Sequence, residues 1–174
     1  MTDTFDQLAD KMAIRELVYT YCRAVDRLDV PLGHSIWHDD GHADYGKDFY
    51  QGPGKAIIDV ICESHLAMTS HSHQVTNILI ELDGDKAGSE SYIFGTMRFP
   101  PAEDKPTQIF VWGRYLDRWE KRDGKWGLVH RQFVYDHDEI REVSPLGQQS
   151  AAARDTSDPS YQVLSARKWG QGSP

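Results

Sequence analysis

The hydrophobic rhythm of this chain changes once, dividing it into a helical first part and a strand-rich second part. From Phe5 to Leu28 there is no glycine or proline, and Ile14, Leu17, Val18, Tyr21, Val25 and Leu28 recur at three- and four-residue steps. That spacing predicts one long amphipathic helix with a core-facing stripe. Asp29 ahead of Val30 and Pro31 reads as an N-cap with proline in the first turn, starting a short second helix that runs to about Trp37. A short polar and aromatic strand is expected over 42–50, broken by Gly52, Pro53 and Gly54. A third helix follows over about 55–68, with Ile57, Ile58, Ile61 and Leu66 as its buried stripe.

After Met68 the period becomes two. The runs 72–82, 86–99, 108–121 and 125–135 are β-branched and aromatic-rich, which predicts four antiparallel strands. Asp83-Gly84-Asp85 and Arg122-Asp123-Gly124 supply hairpin turns in which glycine takes positive φ, and a longer loop runs from Pro100 to Pro106. Helices first and a long antiparallel sheet afterwards define an α+β fold. A sheet bent around the long helix makes a cone-shaped barrel with one open mouth, the expected site. The folded domain is expected over 1–143. The remainder, 144–174, rich in Gln, Ser, Ala and Gly, reads as an extended tail placed, with Trp169, to cover the mouth or a neighbour.

Length and charge narrow the functional classes. One domain's worth of chain, 174 residues with 39% apolar content, supports a real core. The 19 basic and 27 acidic residues give −8 without a basic cluster, so a phosphate backbone is a poor partner and no nucleic acid is expected. No run approaches the roughly 18 apolar residues of a membrane span, and MTDTFDQLADKM lacks the pattern of a signal peptide, so a cytoplasmic protein is expected. Cys22 and Cys62 have no metal or redox spacing.

Several polar residues fall where chemistry could use them. Ser70-His71-Ser72-His73 opens the first long strand with both histidines on one face. A His-x-His pair also occurs in metal sites, but a third and usually a fourth ligand are required, and no metal is expected. The cluster His34, His38, Asp39, Asp40, His42 and Asp44 crosses a helix end into a strand, so its side chains should diverge into caps and turns. Asp26 lies on the flank of the first helix's stripe, open to solvent or to Arg23, and Tyr21 lies on the stripe itself. Arg131 shares a strand face with Val129, Phe133 and Tyr135 and requires an anion or carboxylate beside it; phase alone does not say which face is inside.

The stretches ADKMAIRELVYTYCRAVDRLD, SIWHDD, YQGPGKAIIDV, HQVTN and YLDRWEKRDGKWGLV, spread from Asp6 to about Tyr135, resemble the SnoaL-like branch of the NTF2-like superfamily. The likeness is greatest to the hexachlorocyclohexane dehydrochlorinase type and extends to bile-acid 7α-dehydratase and scytalone dehydratase. It implies a histidine base at His73 oriented by Asp26, and an inward Arg131 assisting the leaving group. The dehydrochlorinase lysine is replaced by Tyr21, as in the dehydratases, so the resemblance favours an oxygenated substrate and no cofactor. With strand phase anchored this way, Tyr45, Ile93, Val111, Tyr115 and Phe133 would surround a hydrophobic or aromatic substrate.

The resulting expectation is a cofactor-independent lyase that removes a proton and eliminates water or another small fragment, such as formaldehyde, from a cyclic or aromatic molecule. Two alternatives stand beside it: a ketosteroid-isomerase-like isomerase and a non-catalytic binding module. Such relatives are often homotrimers, so self-association is expected.

Overall fold

The computed structural model describes residues 3–101 and 105–164. Helix α1 spans Phe5–Asp26 and begins with a capping box: the Thr4 hydroxyl accepts from Gln7 N–H while the Gln7 side chain accepts from Thr4 N–H. Its buried face holds Ile14, Val18, Tyr21, Cys22 and Val25. The chain turns sharply at Leu28, whose φ is 52°, and the Asp29 carboxylate caps α2 (Val30–His34) by accepting from Leu32 N–H.

Strand β1 covers Trp37–Asp44 and β2 covers Gln51–Pro53. The extended segment therefore starts five residues before the expected 42, at Trp37, and the second helix stops at His34 rather than at about Trp37. Trp37 explains the shift: it is buried against α3 (Gly54–His65), where a Cβ on Gly54 would lie 2.0 Å from the Trp37 ring. Helix α3 also ends earlier than expected. Leu66 is exposed, and His65 closes the stripe of Ile57, Ile58 and Ile61 in its place.

Four long strands complete the fold: β3 (Ser70–Asp83), β4 (Lys86–Arg98), β5 (Thr107–Arg122) and β6 (Lys125–Glu142). The hairpin after β5 turns through Asp123 and Gly124, both at positive φ. The six strands form one curved sheet in the order β2-β1-β6-β5-β4-β3, antiparallel throughout except where β1 runs parallel to β6. Register shifts between Val75 and Ile78 in β3, and at Trp112/Gly113 and Arg118/Trp119 between β5 and β6, bend the strands as an inserted residue does. The α+β cone is thus an unclosed sheet wrapped around α1.

Strand β6 continues seven residues beyond the expected Tyr135, because β5 pairs with it as far as Thr107↔Glu142. Past it, the described part of the tail returns to its own domain. Arg154 donates to the His65 carbonyl at 2.7 Å, the Tyr161 hydroxyl donates to Asp29 at 3.1 Å, and Arg23 donates to the Ser160 hydroxyl at 3.0 Å while lying over the Tyr161 ring. Helix α4 is one turn, Ser160–Val163, and Trp169 lies outside the described residues.

Candidate active site

Asp26 is the last residue of α1, where the helix dipole disfavours a carboxylate by roughly 0.3–1 kcal/mol. Two hydrogen bonds from one residue offset that. His73 Nδ1 lies 2.7 Å from Asp26 Oδ1, and the His73 backbone N–H donates to Oδ2 at 3.0 Å. An ionised carboxylate only accepts, so Nδ1 carries a proton, and in the neutral ring Nε2 presents a lone pair. Both side chains are 14% exposed, shielded but reachable. Arg23, the alternative partner for Asp26, is engaged by the tail instead.

Two strand positions away, His71 has the opposite tautomer. Its Nε2 lies 3.0 Å from the Val25 carbonyl, which can only accept, so Nε2 is the donor and adds a second hydrogen bond to a carbonyl at the end of α1 that also accepts from Leu28 N–H at 3.4 Å. The neighbouring His65 ring lies 4.3 Å from His71 and 5.6 Å from His73 between centroids. Burial first, and then the neighbouring histidines and Arg154, push His65 down to about 3. His71 is also lowered, mainly by burial. Both rings are therefore neutral at pH 7. No group of three or more metal-ligating side chains is poised for an ion among the described residues.

A cavity of about 440 Å³ opens beside His73. Cross-strand register builds its sheet wall in rows: His73 pairs with Gly95 and Gly95 with Val111, while Val75 pairs with Ile93 and Ile93 with Gly113. In the next row Tyr115 pairs with Phe133. Gly95 sits beside the His73 ring, where a Cβ would make only ordinary contact at 3.9 Å. Tyr21 comes from α1, Tyr45 from the turn after β1, and His65 and Ile61 from α3; Phe49, Met97 and Tyr135 line the cavity nearer its opening.

At the inner end of the cavity the Tyr21 and Tyr45 hydroxyls share a 2.7 Å hydrogen bond. Burial raises both phenols, as it does Tyr115, so all three stay protonated at neutral pH. Arg131 lies behind them. It is fully buried, its guanidinium sits 4.2 Å from the Tyr21 ring centroid and 3.9 Å from that of Tyr115, and Nε and Nη2 each donate to Asp117 at 2.7 Å. Burial opposes its charge, but Asp117 outweighs that and raises its pKa well above the ordinary arginine value. Its third nitrogen, Nη1, has no hydrogen-bond partner among the described residues. Arg131, expected beside the leaving group, is not among the residues lining the cavity; Tyr21 and Tyr115 cover its faces.

Tyr21, Tyr45, His73, Ile93, Val111, Tyr115 and Phe133 thus surround one space, with Asp26 behind His73 and Arg131 behind the tyrosines. Sequence reasoning missed His65 and Asp117. His65 was findable as the next step of the Ile57, Ile58, Ile61 stripe, and Asp117 as the inward residue one period after Tyr115. The dense histidine–aspartate segment disperses. His34 meets Asp59, His38 Nε2 meets the Glu120 carbonyl, Asp39 pairs with Lys55, Asp40 with Arg122, and Asp44 accepts from Gly46 and Gln51.

Fold and site together define an α+β cone whose interior holds a histidine–carboxylate pair facing an aromatic cavity. The chain belongs to the SnoaL-like domain family, whose model matches residues 6–132. Among solved structures it is similar to LinA, with a TM-score of 0.69 and 20% identity over 83% of this chain and 97% of that one. It is also similar to the hexachlorocyclohexane dehydrochlorinase LinA-type3 from Novosphingobium barchaimii, with a TM-score of 0.67 and 22% identity over 83% of this chain and 97% of that one. A presumptive scytalone dehydratase from Novosphingobium aromaticivorans scores 0.67 at 19% identity, over 82% of this chain and 97% of that one. No curated protein matches the chain in sequence. No helix among the described residues is long and apolar enough to cross a membrane.

Proposed function

We propose that this protein is a cofactor-independent lyase that eliminates water or another small fragment, such as formaldehyde, from a hydrophobic cyclic or aromatic substrate. The observation that carries this reading is the 2.7 Å contact between Asp26 and His73 Nδ1, which leaves Nε2 beside a cavity walled by aromatic side chains. In the proposed reaction Nε2 takes a proton from substrate carbon when water is lost, or from a hydroxymethyl O–H when formaldehyde is lost, and Asp26 stabilises the imidazolium that forms. In water loss the C–H electrons form a double bond as the C–O bond breaks, and the departing oxygen takes the proton from the imidazolium to leave as water. In formaldehyde loss the O–H electrons become the C=O bond, and the C–C electrons pass into the conjugated part of the substrate, which takes the proton back. Tyr21 and Tyr45 donate hydrogen bonds to the oxygen that becomes negative, in a site where few water molecules compete. Arg131 strengthens those donors from behind, a positioning role rather than a contact with substrate. Tyr115, Phe133, Ile93 and Val111 hold the apolar body.

The dehydrochlorinase and dehydratase names among the structural neighbours agree with elimination, at identities where only the fold is shared. The tyrosine pair equally suits an enolate oxygen, which keeps isomerisation as the second reading. Incubating purified protein with aryl-ether, diarylpropane and hydroxysteroid panels under mass spectrometry separates the two. A product lighter by a small fragment supports the lyase, a product of unchanged mass supports the isomerase, and tight binding without turnover of any bound compound would sink both. Self-association into a trimer is proposed from the same family likeness and is decided by light scattering.

A further inference from the structure

A second and larger cavity, about 700 Å³, lies between the returning tail and the open end of the cone. Three arginines line it: Arg27 just past α1, Arg98 at the end of β4, and Arg154 from the tail. The one carboxylate among its described lining residues is Asp26, and both Asp26 oxygens are taken by His73. In a chain of net charge −8, Arg98 and Arg154 have no carboxylate partner among the described residues, while Arg27 is ion-paired with Asp158.

The arginines are held but not saturated. Arg98 donates Nη2 to the Ser144 carbonyl, and Arg154 donates Nη1 to the His65 carbonyl. Each bond uses one nitrogen of a group with five N–H donors and neutralises no charge. Arg27 Nε lies 3.4 Å from the Asp158 carboxylate and makes no hydrogen bond among the described residues, although it is buried. The wall between the cations is apolar, formed by Phe99, Pro101, Pro106, Pro145 and Leu146, with Gln148 and Gln149 beside them. A fixed cationic fork next to a greasy surface recognises a planar anion carried on an apolar body.

We infer that this cavity is a separate binding site for a small aromatic carboxylate, built jointly by the cone and the tail. The tail's own bonds to His65, Asp29 and Arg23 position Arg154 and Leu146 over it. The inference does not depend on the reaction proposed above, because its readout is binding rather than turnover.

The test compares 2-naphthoate with its neutral, nearly isosteric amide 2-naphthamide by calorimetry on the full chain at low salt. The wild type should bind the carboxylate at least about tenfold more tightly, and Arg98→Gln should remove that preference. Arg98→Lys, which keeps the charge but loses the planar fork, should show a preference between those of the wild type and Arg98→Gln, so that loss in Arg98→Gln is not mistaken for misfolding. A crystal grown with 2-naphthoate should place its carboxylate within hydrogen-bond distance of Arg98 or Arg154. Equal affinity for the two probes, a preference undiminished in Arg98→Gln, or a carboxylate seated instead on the Tyr21–Tyr45 pair would each overturn the inference.

Discussion

Asp26 holds His73 at two points at once, through the ring nitrogen and through the backbone N–H of the same residue. The double grip fixes ring orientation and tautomer together, and it ties the last residue of α1 to the fourth residue of β3. An asparagine cannot reproduce it. Its single oxygen can accept from Nδ1 or from the backbone N–H, and its amide then presents a donor to the other donor. Asp26→Asn should therefore reduce turnover by at least about a hundredfold, as should His73→Ala, while far-UV circular dichroism is unchanged. Near-wild-type turnover in either variant would exclude the proposed base.

The hydroxyl pair makes a graded prediction. Tyr21→Phe leaves the Tyr45 hydroxyl in place without its partner, and Tyr45→Phe does the converse. Removing one donor to a developing oxyanion costs about a hundredfold or more in other enzymes, and here the surviving hydroxyl shares the load. Each single variant should lose roughly tenfold to a hundredfold in kcat, and the double variant more than either. A double variant no worse than the singles would mean that one of the two hydroxyls is silent in the reaction.

Much of the architecture was legible from the residues, because amphipathic period and turn chemistry are local. The capping of α2 by Asp29, the hairpin at Asp123-Gly124 and the long α1 follow from neighbours in sequence. What was not legible is set by partners far along the chain. The Trp37 side chain draws its strand against α3, and β5 carries β6 out to Glu142. The candidate site divides in the same way. Strand phase, anchored by the family resemblance, placed Val111, Tyr115 and Phe133 around the cavity, but only the three-dimensional register shows that Arg131 is paired with Asp117 and covered by two tyrosine rings. Likewise His71 and His73 are equivalent by period, and a carbonyl in one case and a carboxylate in the other gives them opposite tautomers.

The Arg131–Asp117 bridge predicts a stability effect separable from activity. Both side chains are completely buried, and they face each other as a cross-strand pair. Removing one partner leaves the other charge without solvent, which typically costs 3–5 kcal/mol, about the stability of a marginal domain. Arg131→Met and Asp117→Leu should each lower the urea midpoint severely. The double variant, which leaves no isolated charge, should recover much of the loss. A double variant as unstable as the sum of the singles would show that the pair contributes through packing alone.

Acid sensitivity follows from His65. In the unfolded chain its imidazole titrates near 6.5, whereas burial holds it neutral in the folded protein until about 3. Between those values the unfolded chain binds the extra proton, so this contribution to stability is complete above pH 6.5 and declines as the pH falls towards 3. At about 1.4 kcal/mol per pH unit, His65 alone accounts for on the order of 2 kcal/mol lost by pH 5. His71, lowered in the same direction by burial, adds to the loss. The urea midpoint of the wild type should therefore drop between pH 7 and pH 5. His65→Gln, which keeps a polar group at the position but cannot titrate, should show a shallower drop from a lower starting stability. Parallel pH curves for the two proteins would mean that His65 is not the group that senses acid, and that the histidine cluster against α1 is solvated more freely than its burial implies.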